Sequence, residues 1–294
     1  MMDYETRKPI CRSCLERPDN CWKAVEYGCA IKRATAERNA LACPINKWTL
    51  LPYFDRVVVI SLGRRQDRLK QFLAGLPAEF PFRRPEVFVA VDGKDDPGYP
   101  ETWGGRGSWG CRESHLRVLQ SAIEDCAKRV LVFEDDCIFC DGFNRLASKF
   151  LMSVPADWDC LMLGGQHRGG KRDLIAEGVV QCQNTQRTHA YAVQGQFMVD
   201  LANRWGEMTS GHIDHVLGPF AARYHTYAVA PFICGQREGY SNISCKTQAE
   251  HFWGGVLSTK RPTPTEFREK RMGILDARNT KKQTATSARA AFLR

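Results

Sequence analysis

The chain has 294 residues, a formal net charge of +9, 43% hydrophobic and 26% charged residues, the balance of a soluble globular protein with room for a sizeable core. A mostly disordered or fibrous chain is excluded, and no apolar run approaches the length of a membrane-spanning helix. Met1 to Glu5 open no apolar stretch, so no secretory signal is expected and the expected compartment is a cytoplasm.

The N-terminal segment is rich in cysteine: Cys11, Cys14, Cys21, Cys29 and Cys43 are five of the 13 in the chain. Cys11-Arg-Ser-Cys14 lets two thiolates from one tight turn reach one ion, and zinc takes four such ligands tetrahedrally. Cys11, Cys14 and Cys43 fill three places; Cys21 and Cys29 compete for the fourth. A structural Zn2+ would supply the folding energy that so short a segment cannot draw from a core. An iron–sulfur cluster and unligated thiols are the alternatives. The segment resembles a small cysteine cluster, ending in Cys-Pro-x-x-Lys/Arg-Trp, of phage and environmental bacterial proteins.

After Trp48 apolar runs alternate with helical stretches. Arg56–Leu62 reads as a buried strand, residues 67–76 as a helix and Glu86–Val91 as a second strand ending at Asp92-Gly93. A glycine-rich loop over Gly98–Gly110 precedes a helix over Cys111–Ala127. Arg129–Phe133 is a third buried strand that runs into Glu134-Asp135-Asp136. A helix near Gly142–Ser153 and a strand over Trp158–Gly164 follow. Further strands are expected at Gly178–Cys182, Ala190–Val193 and Thr226–Ala230, and helices at Gln196–Trp205 and His215–Ala222. Cys137-Ile-Phe-Cys140 falls in a strand-like stretch and reads as structural. This order predicts an α/β fold with a mainly parallel sheet.

Charge is unevenly placed along this plan. Residues 260–294 hold ten Lys/Arg against three Asp/Glu, and residues 1–48 nine against six, while the body between is close to neutral. Basic ends suit nucleic acid, anionic lipid head groups or acidic glycans, or are solvated termini.

Ligands of an open α/β sheet gather beyond the carboxyl ends of its strands. Three adjacent carboxylates there repel one another and suit Mn2+ or Mg2+, with a diphosphate completing the shell. Strand alternation places Glu134 and Asp136 on one side, as a metal pair, and Asp135 on the other. A solvated acidic turn is the competing reading.

Seven stretches occur in an order that resembles family 25 glycosyltransferases, the lipooligosaccharide and procollagen galactosyltransferases. They are Val58–Leu62 with Arg65-Gln-Asp-Arg68, Ala90-Val-Asp-Gly93, Gly110–His115, Val132–Asp136, Thr188-His-Ala-Tyr191, His212–His215 and Gln236–Ser241. The resemblance implies a GT-A-like, Rossmann-related fold, a nucleotide-sugar donor such as a UDP-sugar, a divalent metal on the Glu-Asp-Asp segment and inversion at the anomeric carbon. Glu113, where the family usually has an apolar or small residue, and Ser61, in place of a common Asn, depart from the pattern.

On this footing Arg65 and Arg68 pair with the donor diphosphate, and Asp92 binds a uracil or ribose edge unless it only closes an Asp-Gly turn. Ser114 and His115 open a helix whose amides favour phosphate. Asp135 and His189 join the donor site, and His189, Tyr191, Gln236 and Ser241 line the sugar pocket. Asp214 is the candidate base for the acceptor hydroxyl, with an Asp–His capping pair as the alternative; His212 and His215 are candidate metal or phosphate ligands. Three parts are expected: a zinc module over 1–50, a transferase domain over 51–254 and a basic tail over 255–294. The acceptor is a glycan such as lipooligosaccharide by family default, or DNA carrying hydroxymethylated pyrimidines. The reading from another class is a zinc-containing nucleic-acid-binding protein whose transferase body has lost activity.

Overall fold

The computed structural model describes residues 50, 53–169, 172–241, 243 and 246–252. The five N-terminal cysteines and the basic tail lie outside the described residues, so the zinc module stays an expectation from sequence.

In chain order the strands and helices are β1 (Arg56–Leu62), α1 (Gln66–Ala74), β2 (Glu86–Ala90), α2 (Arg106–Glu124), β3 (Arg129–Glu134), β4 (Cys137–Phe139), α3 (Phe143–Ser153), β5 (Cys160–Met162), β6 (Gln166–His167), β7 (Arg172–Ala176), β8 (Val179–Cys182), β9 (Thr185–Gln186), β10 (Ala190–Gln194), α4 (Gly195–Gly206), α5 (Ile213–Ala221), β11 (Thr226–Val229), β12 (Cys234–Gln236), β13 (Gly239–Tyr240) and β14 (Thr247–Gln248). Among the described residues the central sheet has 8 strands in the order β2-β1-β3-β10-β5-β11-β8-β7. β1 runs parallel to β2 and β3, β5 parallel to β11, and β10 and β8 run against their neighbours. The expected α/β fold with a mainly parallel sheet is therefore a mixed sheet with most strands pointing one way.

β1 and β3 are buried because their β-branched runs are covered on both faces: Val58, Val59, Leu131 and Val132 are fully inaccessible. Phe72, Phe80, Phe82, Phe133, Phe139 and Phe143 pack edge-on and tilted beneath them, with Phe80 and Phe143 stacked 6.0 Å apart. This cluster ties α1, α3 and β4 to the sheet. The chain visits β2 on one side of β1 and then β3 on the other. The order thus switches between β1 and β3, where doubly wound sheets open a crevice.

The glycine-rich stretch is not all loop. α2 starts at Arg106, five residues before the expected Cys111, and carries Gly107 and Gly110 inside it. Glycine is a poor helix former, so its presence argues for a loop on propensity alone. Here contact overrides propensity. A Cβ on Gly110 would stand 2.5 Å from the Val91 carbonyl oxygen and 2.8 Å from the Gly93 nitrogen, and one on Gly93 would strike the Arg106 carbonyl. The two glycines let the end of β2 press against α2, which sets the position of Asp92. Gly110→Ala is expected to cost about 1–3 kcal/mol, read as a lowered urea midpoint with an unchanged slope.

Glu113 also has a structural role. Its carboxylate pairs with Arg112 and, at 3.2 Å, with Arg117. Arg112 in turn donates to the carbonyls of Trp205 and Gly206 at the C-terminal end of α4, where a cation satisfies open carbonyls and the helix dipole. The departure at Glu113 fastens α2 to α4.

Candidate active site

The carboxyl ends of β1 and β3 open into a cleft of ≈ 950 Å³ whose lining includes Arg64, Arg65, Arg68, Asp92, Glu134, Asp135, Asp136, Asp214 and Gln236. The structure therefore brings together the acidic segment, the arginines after β1, Asp92 and Asp214, which lie up to 150 positions apart in the sequence (64 to 214).

The acidic segment does not alternate as a strand would. β3 ends at Glu134, and Asp135 and Asp136 lie in a turn. One guanidinium nitrogen of Arg68 bridges both, 2.8 Å from Asp135 and 2.7 Å from Asp136. Asp135 also accepts the Ser61 hydroxyl at 2.7 Å, so the serine that departs from the family pattern holds an acid of the site. The Gln236 amide donates to Asp136 at 3.3 Å. Glu134 turns to other partners: the Thr188 hydroxyl donates to it at 2.7 Å, and His115 Nε2 lies 3.5 Å away.

These environments separate the three acids. Burial works against ionisation of Glu134, but His115 and Thr188 outweigh it and hold its carboxyl at about 2. Burial, then repulsion from Glu134, push Asp136 up to about 6 despite Arg68. Burial also raises Asp135, against Arg68 and Ser61. The Cys111 thiol is pushed well up by burial and then by Glu134, Asp214 and Asp136. It therefore lies where acids from two separate segments, the end of β3 and the start of α5, face the same thiol.

Several sequence expectations change. Ser114 and His115 do not open α2; they sit two turns into it, almost fully buried. Ser114 accepts the Val91 amide and donates to the Gly110 carbonyl, and His115 shares a hydrogen bond of 3.0 Å with the Tyr191 hydroxyl. Both shape the cleft floor rather than present helix amides. His189 and Tyr191 are fully buried behind Glu134 and are not part of the cleft lining. Burial lowers His189 to about 4, against the pull of Glu134. Arg65 is engaged with Asp67 at 2.8 Å. Asp92 is held by Arg64 and by the Lys94 amide, the Asp-Gly turn geometry, with its carboxyl lowered first by Arg64. Asp214 lies in the first turn of α5, its side chain 17% exposed, with His215 at 3.9 Å. His212 is the N-cap residue and makes no side-chain capping bond, while Asp214 is the acidic residue of that first turn.

Sequence reading missed Arg64, Thr188, Arg187 and Arg237. Thr188 carried a signal, since it lies in a quoted motif. Arg187 lines the cleft with a positive φ of 83°, which no sequence pattern announces.

The divalent ion implied by the acidic segment can be tested against these groups. Among the described residues no three His, Cys, Asp or Glu side chains are grouped to hold a metal by themselves. The donor chemistry nonetheless fits a hard cation with outside ligands: three carboxylates adjoin at the end of β3, and Arg68 is bonded to two of them while Glu134 is left to neutral partners and a histidine.

The family described as "Glycosyltransferase family 25 (LPS biosynthesis protein)" matches residues 54–169. The match covers less than half of the chain, and over that stretch the chain is similar to glycosyltransferase family 25. The human protein named inactive glycosyltransferase 25 family member 3 is 33% identical over 147 residues, 43% of this chain and 24% of its own length. The zebrafish (Danio rerio) procollagen galactosyltransferase 1 is 30% identical over 131 residues, 38% of this chain and 21% of its own. The chain thus spans about a quarter of the length of these relatives. A crystal structure of A197 from STIV overlaps 70% of this chain and all of that one at 11% identity and a TM-score of 0.36. The family 25 match contains Arg65, Arg68, Asp92 and the acidic segment, whereas His189, Asp214 and Gln236 lie beyond it. No helix among the described residues is long and apolar enough to cross a membrane.

Proposed function

We propose that this chain is an inverting glycosyltransferase that moves a sugar from a nucleotide-sugar donor, UDP-linked in the first instance, to an acceptor hydroxyl. The observation that carries the reading is the convergence of Glu134, Asp136 and Asp214 on one cleft at the switch point of the sheet. Glu134 and Asp136 would hold Mn2+ or Mg2+. Such an ion, when bound, neutralises the departing nucleoside diphosphate.

Asp214 stands in the first turn of α5, on the wall of the same cleft. There it can take the proton of the acceptor hydroxyl as that oxygen bonds to the anomeric carbon and the bond to the diphosphate breaks. His215 Nε2 lies 3.9 Å from its carboxylate. Arg64 fixes Asp92, and the Asp92 turn presents a hydrogen-bonding edge to the nucleoside. Buried His115 and Thr188 keep Glu134 ionised. The family default makes the acceptor a glycan hydroxyl.

One observation favours a second reading, a nucleotide-binding body without transfer: Arg68 stands between Asp135 and Asp136, a protein cation where a metal would compete. The same measurement separates the two. Purified chain is given a panel of nucleotide sugars with Mn2+, and release of nucleoside diphosphate is followed. Turnover that falls at least about 100-fold in Asp214→Asn supports transfer. Nucleotide binding without turnover of any donor supports the second reading. The basic ends make modified DNA the competing acceptor, and filter binding to duplex DNA at two salt concentrations tests it: failure to bind at low salt removes that acceptor.

A further inference from the structure

The position of Arg68 has a consequence for how the cleft is loaded. Both Asp135 and Asp136 depend on the same guanidinium nitrogen, Nη2. Asp135 has a second anchor, since its other oxygen accepts the Ser61 hydroxyl. Asp136 has the weaker hold, the Gln236 amide at 3.3 and 3.4 Å. Arg68 lies in the first turns of α1, whose start is fixed by backbone bonds of Arg68 and Leu69 to the Arg65 carbonyl. Its backbone is therefore anchored while its long side chain spans the cleft floor. A divalent cation reaching Asp136 meets an oxygen already bonded to a guanidinium. Two cations cannot share that carboxylate without repulsion, which is strong in a partly buried site.

We propose that Arg68 is a built-in counterion for the metal-free cleft, competing with the divalent cation for Asp136 and passing to the donor diphosphate when the cation binds. The proposal rests on the transferase reading and adds an order to it. Arg68 keeps its place beside Asp135, which Ser61 steadies, and gives up Asp136. The guanidinium is then in position to bond a diphosphate oxygen, a geometry that suits arginine. Cation and donor are coupled through this one side chain: each favours the arrangement in which the other binds.

The test measures binding rather than turnover. Mn2+ affinity is determined by titration calorimetry or by the electron paramagnetic resonance of unbound Mn2+, in wild type, Arg68→Met and Arg68→Lys, without and with uridine diphosphate. Removing the competing charge is expected to tighten Mn2+ alone by about tenfold in Arg68→Met. The same variant should lose most of the gain in Mn2+ affinity that uridine diphosphate gives the wild type. Arg68→Lys keeps a competing charge and should bind Mn2+ alone within about threefold of wild type. Thermal unfolding of each variant with Mn2+ checks that the cleft is intact. If the wild type binds Mn2+ and Arg68→Met binds it equally or more weakly, the competition is refuted and the transferase reading stands. Arg68→Lys binding as tightly as Arg68→Met refutes it too. If the wild type binds no Mn2+ even with uridine diphosphate, the metal assignment fails, and this proposal with it.

Discussion

Asp136→Asn is expected to abolish sugar transfer, by about 1,000-fold or more in kcat/KM, while making the metal-free protein more stable at pH 8. The two effects share a cause. Asp136 is half-buried beside Glu134, and its carboxyl is pushed up to about 6 by burial and that neighbour. A carboxyl whose folded value lies above its unfolded value of 3.8 binds its proton more tightly in the folded state. Its contribution to stability is complete below the unfolded value and is lost as pH rises through about 6. At pH 8 the ionised group therefore works against folding, by about 1–3 kcal/mol after allowance for its partial exposure. Asparagine keeps the shape and can still meet Gln236 and Arg68 with its carbonyl oxygen, but carries no charge to repel Glu134. Chemical denaturation at pH 8 in a chelator, paired with a donor-hydrolysis assay, checks both halves. A variant that is inactive and less stable would mean that Asp136 serves the fold through Arg68 rather than waiting for a cation.

The body was legible from sequence where one physical signal dominated. Runs such as Val57–Ile60 and Val130–Phe133 can only be strands covered on both faces, and β1 and β3 start where expected. The acidic segment follows from the end of such a strand. What sequence could not carry were contacts between distant segments. Gly107 and Gly110 speak for a loop on propensity, and the need for a bare backbone at Gly110 against Val91 is invisible along the chain. The helix start moved with them, and the reading of Ser114 and His115 as helix-opening residues went too. His189 and Tyr191 stand in a motif that fits a pocket wall. Their burial depends on α2 packing behind β10, where His115 meets Tyr191. Arg68 was read as a phosphate contact because arginine after a strand suits an anion. The anions it meets are two carboxylates that a turn, not a strand, sets side by side.

The pH dependence of stability should expose a second, opposite group behind the first. His189 is fully buried, and burial lowers it to about 4 from 6.5. Its neutral form belongs to the fold, so the unfolded chain binds the proton first. The stability it contributes is complete above pH 6.5 and is lost as pH falls from there to about 4, by roughly 2–3 kcal/mol. Asp136 titrates across much of the same interval with the other sign, gaining stability as pH falls through about 6. In the wild type the two slopes oppose, and the profile between pH 7 and pH 4.5 should be shallower than either group alone would make it. Separate substitutions uncover them. Asp136→Asn removes the compensating gain, so its stability should fall more steeply than wild type on acidification. His189→Asn will be less stable throughout, because it leaves a gap beside Gly164, where a Cβ would already meet the Cys234 carbonyl at 2.8 Å. Its loss between pH 7 and pH 4.5 should nonetheless be smaller than that of wild type. The deciding measurement is the pH slope of the urea-unfolding free energy in the three proteins, not its value at any one pH. Slopes that depart from the wild-type slope in the same direction in both variants would show that one of the two groups is not held in the protonation state its surroundings dictate.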